Sequence, residues 1–206
     1  MSDTLRFYTN PMSRGRIVRW LLEEVGAPYE TTLLGYGTTM KEPEYRAINP
    51  MGKVPAIQHG SVVVTECAAI CAYMADAFPA ASLAPHGSAR ADYYRWLFFA
   101  AGPVEHAVTN RTLDVVVPPD RRGMAGYGCY EDVIDTLETA IKGKTYIAGD
   151  RFSAADIYVG SQLGWGMQFG TIEKRPAFES YWSGLAARPA AVRARAIDDA
   201  LVPPNR

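Results

Sequence analysis

Two hydrophobic periodicities succeed one another along this chain in an order that few folds can accept. Leu5-Arg6-Phe7-Tyr8-Thr9 reads as a strand and stops at Asn10-Pro11. From Ser13 a helical period takes over, with Ile17, Val18, Leu21, Leu22 and Val25 on one face and Arg16, Arg19, Glu23 and Glu24 largely off it. Gly26 ends that helix, and Pro28 bars its continuation. Tyr29 to Leu34 is a second strand, followed by an irregular stretch from Gly35 to Met51 with a short helix at residues 43–47. Val54-Pro55-Ala56-Ile57 and Val62-Val63-Val64-Thr65 form an antiparallel hairpin joined at His59-Gly60-Ser61. Glu66 starts a third helix, on which Ile70, Tyr73, Met74, Ala77 and Phe78 recur at helical spacing.

Strand, helix, strand, irregular segment, hairpin, helix is the thioredoxin-like order. Residues 79–86 make a linker, and beyond it every periodicity is helical. Tyr93, Trp96, Leu97, Ala100, Ala101, Val104 and Val108 form one long apolar stripe, with a kink expected at Gly102-Pro103. Further helices are expected from about Tyr130 to Ile141, from Ser153, near Ala177–Ala187 and near Ala190–Leu201. Phe152-Ser153-Ala154-Ala155-Asp156-Ile157 carries a capping box in Ser153 and Asp156 and a hydrophobic staple in Phe152 and Ile157. Gly160 and Gly164 on the helix it opens allow a neighbouring helix to approach closely. The expected fold class is therefore α/β plus all-α. An N-terminal thioredoxin-like domain (1–79) precedes a C-terminal helical bundle domain (86–206).

Composition removes several function classes. The net charge of −1 gives no electrostatic drive toward nucleic acid or an anionic membrane. No apolar stretch approaches the roughly 20 residues that span a bilayer. Met1-Ser2-Asp3-Thr4 leads into the first strand without a basic start or cleavage site, so the expected compartment is the cytoplasm. Cys67, Cys71 and Cys129 are too few for a disulfide framework in 206 residues. His59, His86 and His106 lack the tight spacing of metal ligands, so no metal is expected.

Three local motifs carry a family resemblance. Asn49-Pro50-Met51-Gly52-Lys53-Val54-Pro55-Ala56 resembles the Asn-Pro-x-Gly-x-Val-Pro segment of the cytosolic glutathione transferases. Thr65-Glu66-Cys67-Ala68-Ala69-Ile70 resembles their Glu-Ser-x-Ala-Ile segment, and residues 149–156 are similar to their buried capping motif. The resemblance implies a serine-type member of phi- or theta-like character, with glutathione as co-substrate, a small hydrophobic electrophile as its partner, and assembly as a homodimer. Conjugation of the glutathione thiolate is the implied activity. A non-catalytic glutathione or hydrophobic-ligand binder, or a peroxidase, dehalogenase or isomerase using glutathione, stands as the alternative.

The same resemblance assigns residues. Val54 before a cis Pro55 presents its backbone to the cysteinyl unit of glutathione. Glu66 and Cys67 open a helix, where amides and the positive dipole end favour the γ-glutamyl carboxylate. Cys67 departs from the family's Ser, and a thiol is the weaker donor. Lys41 and Lys53 are candidates for the glycyl carboxylate. Met40 precedes Lys41 where serine-type members often carry His. Ser13 is the catalytic candidate, its hydroxyl donating to the thiolate, and Tyr8 is the rival donor. Ser13 also suits a plain helix cap. No cysteine precedes Cys67, which argues against dithiol chemistry. Met12, Val104, Arg111, Met167 and Phe169 are candidates to line an electrophile pocket and equally candidates for core, and the sequence does not choose between the two.

Overall fold

Strand β1 (Leu5–Thr9) is a central strand of a four-stranded sheet, and its alternation sorts the first unit into two layers. The computed structural model describes residues 4–203. β1 is followed by α1 (Gly15–Val25), β2 (Tyr29–Leu33), a short α2 (Pro43–Arg46), β3 (Ala56–His59), β4 (Val62–Thr65) and α3 (Cys67–Ala77). The sheet order is β2-β1-β3-β4, with β1 parallel to β2 and the β1–β3 and β3–β4 pairs antiparallel. Phe7 faces α1, where the Arg19 guanidinium lies 4.9 Å from its ring centroid. Tyr8 points to the other face and joins a buried cluster with Leu34, Met40, Tyr45 and Ala56.

Local signals explain the element ends. Gly26 adopts a left-handed conformation (φ 72°) and its amide closes α1 on the Leu22 carbonyl at 2.9 Å. The expected strand at Val54 begins instead at Ala56, because Val54–Pro55 is a cis peptide and a proline offers the ladder no N–H. Ser13 and Glu66 each lie just outside the helix they were expected to start, since α1 begins at Gly15 and α3 at Cys67.

Arg19 corrects the reading of α1. Helical spacing placed it largely off the apolar face, yet it is only 2% exposed. Its Nη1 donates to Tyr29 Oη at 3.0 Å and to Thr31 Oγ1 at 2.8 Å, and its Nε to Asp198 Oδ1 at 3.2 Å. Asp198 belongs to α9 (Pro189–Ala200), the last helix. α9 packs along α1, and the chain from Arg188 onward groups with the sheet, while Ala84–Ala187 forms the other compact unit. Arg188 pairs with Glu24, Arg193 with Glu23, and Asp199 with Arg16, so charges on both helices match along the seam. The terminal helix thus rejoins the unit it was expected to have left.

The other unit comprises α4 (Ala89–Phe99), α5 (Glu105–Thr112), α6 (Tyr130–Ile141), α7 (Ala154–Phe169) and α8 (Pro176–Ala186). A π-helical turn at Ala100–Val104 joins α4 to α5 where a kink was expected, and it accommodates Pro103, which has no N–H to give. α7 is buried on nearly every side. A Cβ on Gly164 would stand 2.5 Å from the Trp182 ring, and one on Gly160 would stand 2.7 Å from Leu185, so α8 is the close neighbour those glycines admit. The capping box is formed, and Asp156 accepts four bonds: from the Ile147 amide (2.8 Å), the Ser153 amide (2.8 Å), Ser153 Oγ (2.9 Å) and Tyr181 Oη (2.7 Å). Burial pushes the Asp156 carboxyl up, against the pull of the Ile147 amide, Tyr181 and Ser153.

Candidate active site

Strand register gathers the candidate residues at one end of the sheet. Tyr8 pairs with Ala56, so the chain leaving β1 toward Ser13 runs beside the Val54–Pro55 segment that enters β3. Ala56 pairs in turn with Thr65, so Glu66 and Cys67 emerge next to Val54–Pro55. Cys67 Sγ lies 3.7 Å from the Arg14 carbonyl oxygen, which joins the start of α3 to the start of α1. Backbone pairing thus brings Val54–Pro55 and Glu66–Cys67 together, and the Cys67–Arg14 contact brings the Ser13 loop to them.

The Val54–Pro55 corner is braced from behind. Tyr45 Oη donates to the Lys53 carbonyl at 2.6 Å, and Asn49 Nδ2 to the same oxygen at 2.8 Å. Asn49 Oδ1 accepts the Met51 amide at 3.1 Å, closing the turn of its own motif. Burial raises the Tyr45 hydroxyl to about 12, which keeps the proton that this donation needs. Lys41 spends two of its ammonium protons on the carbonyls of Met51 (3.2 Å) and Gly52 (2.7 Å). Gly52 has φ 56°, and a Cβ there would stand 2.5 Å from the Met40 carbonyl oxygen, so this turn requires glycine. Lys53 keeps its carbonyl in this network and its side chain exposed.

Ser13 occupies a loop whose successive carbonyls are each taken. Its amide and its Oγ both donate to the Asn10 carbonyl, at 3.1 and 2.6 Å. Arg16 Nε donates to the Pro11 carbonyl at 2.5 Å, and Tyr36 Oη to that of Met12 at 3.2 Å. Ser13 Oγ also accepts the Gly15 amide at 2.9 Å, so the hydroxyl serves the helix start that its residue type favours. Gly15 permits the close packing here, because a Cβ would fall 1.9 Å from Thr9 Oγ1.

Tyr8 lies in the cluster against which Val54 packs, but its hydroxyl turns elsewhere. Its hydroxyl donates to Gln58 Oε1 at 3.1 Å and faces the Arg6 guanidinium. Gln58 pairs with Arg6, two residues back along β1, so the phenol leans away from the end where Ser13 lies. The hydrogen bond to Gln58 sets this lean, and the residue type alone did not reveal it.

Glu66 adds a feature no sequence signal announced. It sits between β4 and α3 at φ 67°, ψ 124°, a left-handed backbone that costs a residue with a Cβ about 1–3 kcal/mol. Among the described residues no side chain makes a capping hydrogen bond to α3. Cys67 is buried, as are Cys71 and Cys129, and burial lifts the Cys71 thiol to about 12.

The candidates for an electrophile pocket have separate environments. Val104 and Met167 are buried in the helical unit, and Arg111 lies 4.1 Å from the Tyr130 ring centroid. Met12 and Phe169 are exposed. Among the described residues no helix is long and apolar enough to cross a membrane.

A thioredoxin-like sheet with a cis-proline corner at one end, accompanied by a separate helical unit, defines the class of two-part thioredoxin-like proteins. Two family models match the chain: the glutathione S-transferase N-terminal domain over residues 12–77 and its C-terminal domain over residues 130–189. Glutathione S-transferase 3 of Zea mays is 26% identical over 201 residues, spanning 90% of each chain. The structure of a glutathione transferase from Methylococcus capsulatus matches with a TM-score of 0.79 at 27% identity, over 95% of this chain and 99% of that one. A sphingomonad glutathione S-transferase complexed with glutathione matches with a TM-score of 0.77 at 27% identity, over 94% and 98%. The chain belongs to the glutathione S-transferase superfamily.

Proposed function

We propose that the sheet end is a glutathione site at which Ser13 stabilises the thiolate for addition to small hydrophobic electrophiles. The chain is a glutathione transferase with glutathione as its co-substrate, in keeping with its family and with the glutathione-bound sphingomonad relative. The observation that supports the assignment of residues is the strand register beside Val54–Pro55 and Glu66–Cys67 together with the contact of Cys67 with Arg14, next to Ser13. Val54 offers backbone groups to the cysteinyl unit. The amides at the start of α3 receive the γ-glutamyl carboxylate. The strained Glu66 supports that role, since such conformations cluster where function demands them. Lys53 and the remaining proton of Lys41 face the glycyl carboxylate.

Ser13 donates in place of its bond to Asn10. Lowering a thiol pKa by about two units takes roughly 2.7 kcal/mol. A hydrogen bond to a charged group supplies ~1.5–3 kcal/mol, and the start of α1 adds ~0.3–1 kcal/mol. The thiol proton leaves to solvent. The sulfur lone pair then forms the new C–S bond as the electrophile's leaving group departs with its bonding pair. Replacing Ser13 by Ala lowers kcat/KM for an aryl halide roughly 10- to 100-fold if the hydroxyl carries this load. Equal turnover by the two proteins removes Ser13 from the mechanism.

The wider setting we propose, a cytoplasmic homodimer of the serine-type classes acting in detoxification, rests on family resemblance. Sedimentation at micromolar concentration tests the dimer, and a monomer there removes it.

A further inference from the structure

Arg16 and Asp199 connect the last helix to the Ser13 loop. Arg16 Nη1 donates to Asp199 Oδ1 at 2.7 Å, while its Nε donates to the Pro11 carbonyl at 2.5 Å. The three loop carbonyls before Ser13 are each fixed by a different donor: Asn10 by Ser13, Pro11 by Arg16 and Met12 by Tyr36. Of these three donors, among the described residues, Arg16 is the one that also binds 183 residues further on. Arg16 is 23% exposed and Asp199 58%, so the pair has little worth as a stability device. Its geometry is more informative. A planar guanidinium bonded through two different nitrogens is fixed in orientation, which a lysine cannot reproduce.

We infer that Asp199 is a positioning residue for the transfer reaction: by orienting Arg16 on the Pro11 carbonyl it fixes the turn that aims the Ser13 hydroxyl at the sulfur. This rests on the Ser13 reading above. Arg16 also brings a positive charge to the loop, and Asp199 partly cancels it. Charge alone would therefore make loss of Asp199 favour the thiolate, whereas positioning makes the same loss disfavour it. The two accounts predict opposite signs.

The test is the thiol pKa of bound glutathione, followed by ultraviolet thiolate absorbance on the full chain, with glutathione affinity from calorimetry alongside. Asp199→Ala raises that pKa by about half to one unit, roughly a three- to tenfold loss of thiolate below the pKa. Asp199→Asn keeps an acceptor for Arg16 and restores the wild-type value, and Arg16→Lys behaves as Asp199→Ala. Glutathione affinity changes less than about twofold throughout. The inference is overturned if Asp199→Ala leaves the pKa in place or lowers it, or if Asp199→Asn fails to rescue. Ser13→Ala, run in parallel, separates the two levels. If it shifts the pKa while Asp199→Ala does not, only the positioning role falls; if it shifts nothing, the Ser13 reading falls and takes this inference with it.

Discussion

The Arg19 guanidinium and the Asp198 carboxylate meet at 3.2 Å with 2% and 1% of their side chains exposed, so α1 and α9 share an ion pair closed to water. Arg19 Nη2 and Asp198 Oδ2 have no hydrogen-bond partner among the described residues. A pair desolvated this thoroughly and satisfied this incompletely makes a poor net contribution, yet breaking it strands a buried charge. Arg19→Met or Asp198→Leu alone should each cost about 3–5 kcal/mol, while the double variant should lose far less than their sum. Denaturant unfolding of the four proteins measures this, and additive losses would show that the two residues act independently.

Asp198 also predicts a pH dependence. Burial pushes its carboxyl above the ordinary 3.8, with Arg19 pulling the other way. The folded chain therefore takes up this proton at a higher pH than the unfolded chain does. The stabilising contribution is full below 3.8 and is lost as pH rises through the folded value. The stability difference, wild type minus Asp198→Asn, should widen as pH falls from neutral toward the carboxylate range. Unfolding curves at several pH values check the sign, and a narrowing gap would refute the upward shift.

The bracing behind Val54 gives a binding prediction. Tyr45 and Asn49 both donate to the Lys53 carbonyl, one residue before the backbone that we propose glutathione uses. Tyr45→Phe removes one neutral hydrogen bond and leaves the ring in its cluster with Tyr8 and Met40. Glutathione affinity should fall about two- to tenfold, the worth of ~0.5–1.5 kcal/mol. Asn49→Ala should cost more, because Asn49 also holds the Met51 amide. Calorimetry decides, and unchanged affinity in both would mean that the corner holds its shape without them.

What could be read from the sequence divides along physical lines. The Gly26 stop and the Ser153–Asp156 box depend on neighbours a few residues away, so local chemistry sufficed, whereas the cis Val54–Pro55 corner followed only from the family resemblance, since the residues alone suit a trans proline equally. Arg19 was misread because an arginine on a helix normally meets water, and its partner lies 179 residues further on. Tyr8 stands second to Ser13 as a donor on the sequence, and the direction of its phenol, toward Gln58, depends on a partner 50 residues away that the sequence does not announce. The left-handed Glu66 had no signal, since glutamate has no preference for that conformation. The last helix looked like one more member of a helical domain until its charges found their complements on α1.

Cys67 is where the proposed site departs most plainly from the motif it resembles, and the departure can be reversed. Its Sγ rests 3.7 Å from the Arg14 carbonyl, a long contact from a weak donor, at the start of a helix that no side chain among the described residues caps with a hydrogen bond. A serine there fits the same space and gains a stronger O–H, which can turn from Arg14 to a bound carboxylate. Cys67→Ser should tighten glutathione binding about threefold or more, since a hydrogen bond to a charged group is worth ~1.5–3 kcal/mol before the lost Arg14 contact is offset. Thermal stability should change little, because Arg14 still offers an acceptor when the ligand is absent. Calorimetry at one pH and ionic strength is the measurement. Weaker binding by the serine variant would place the γ-glutamyl carboxylate away from α3, and with it the orientation of glutathione proposed for this sheet end.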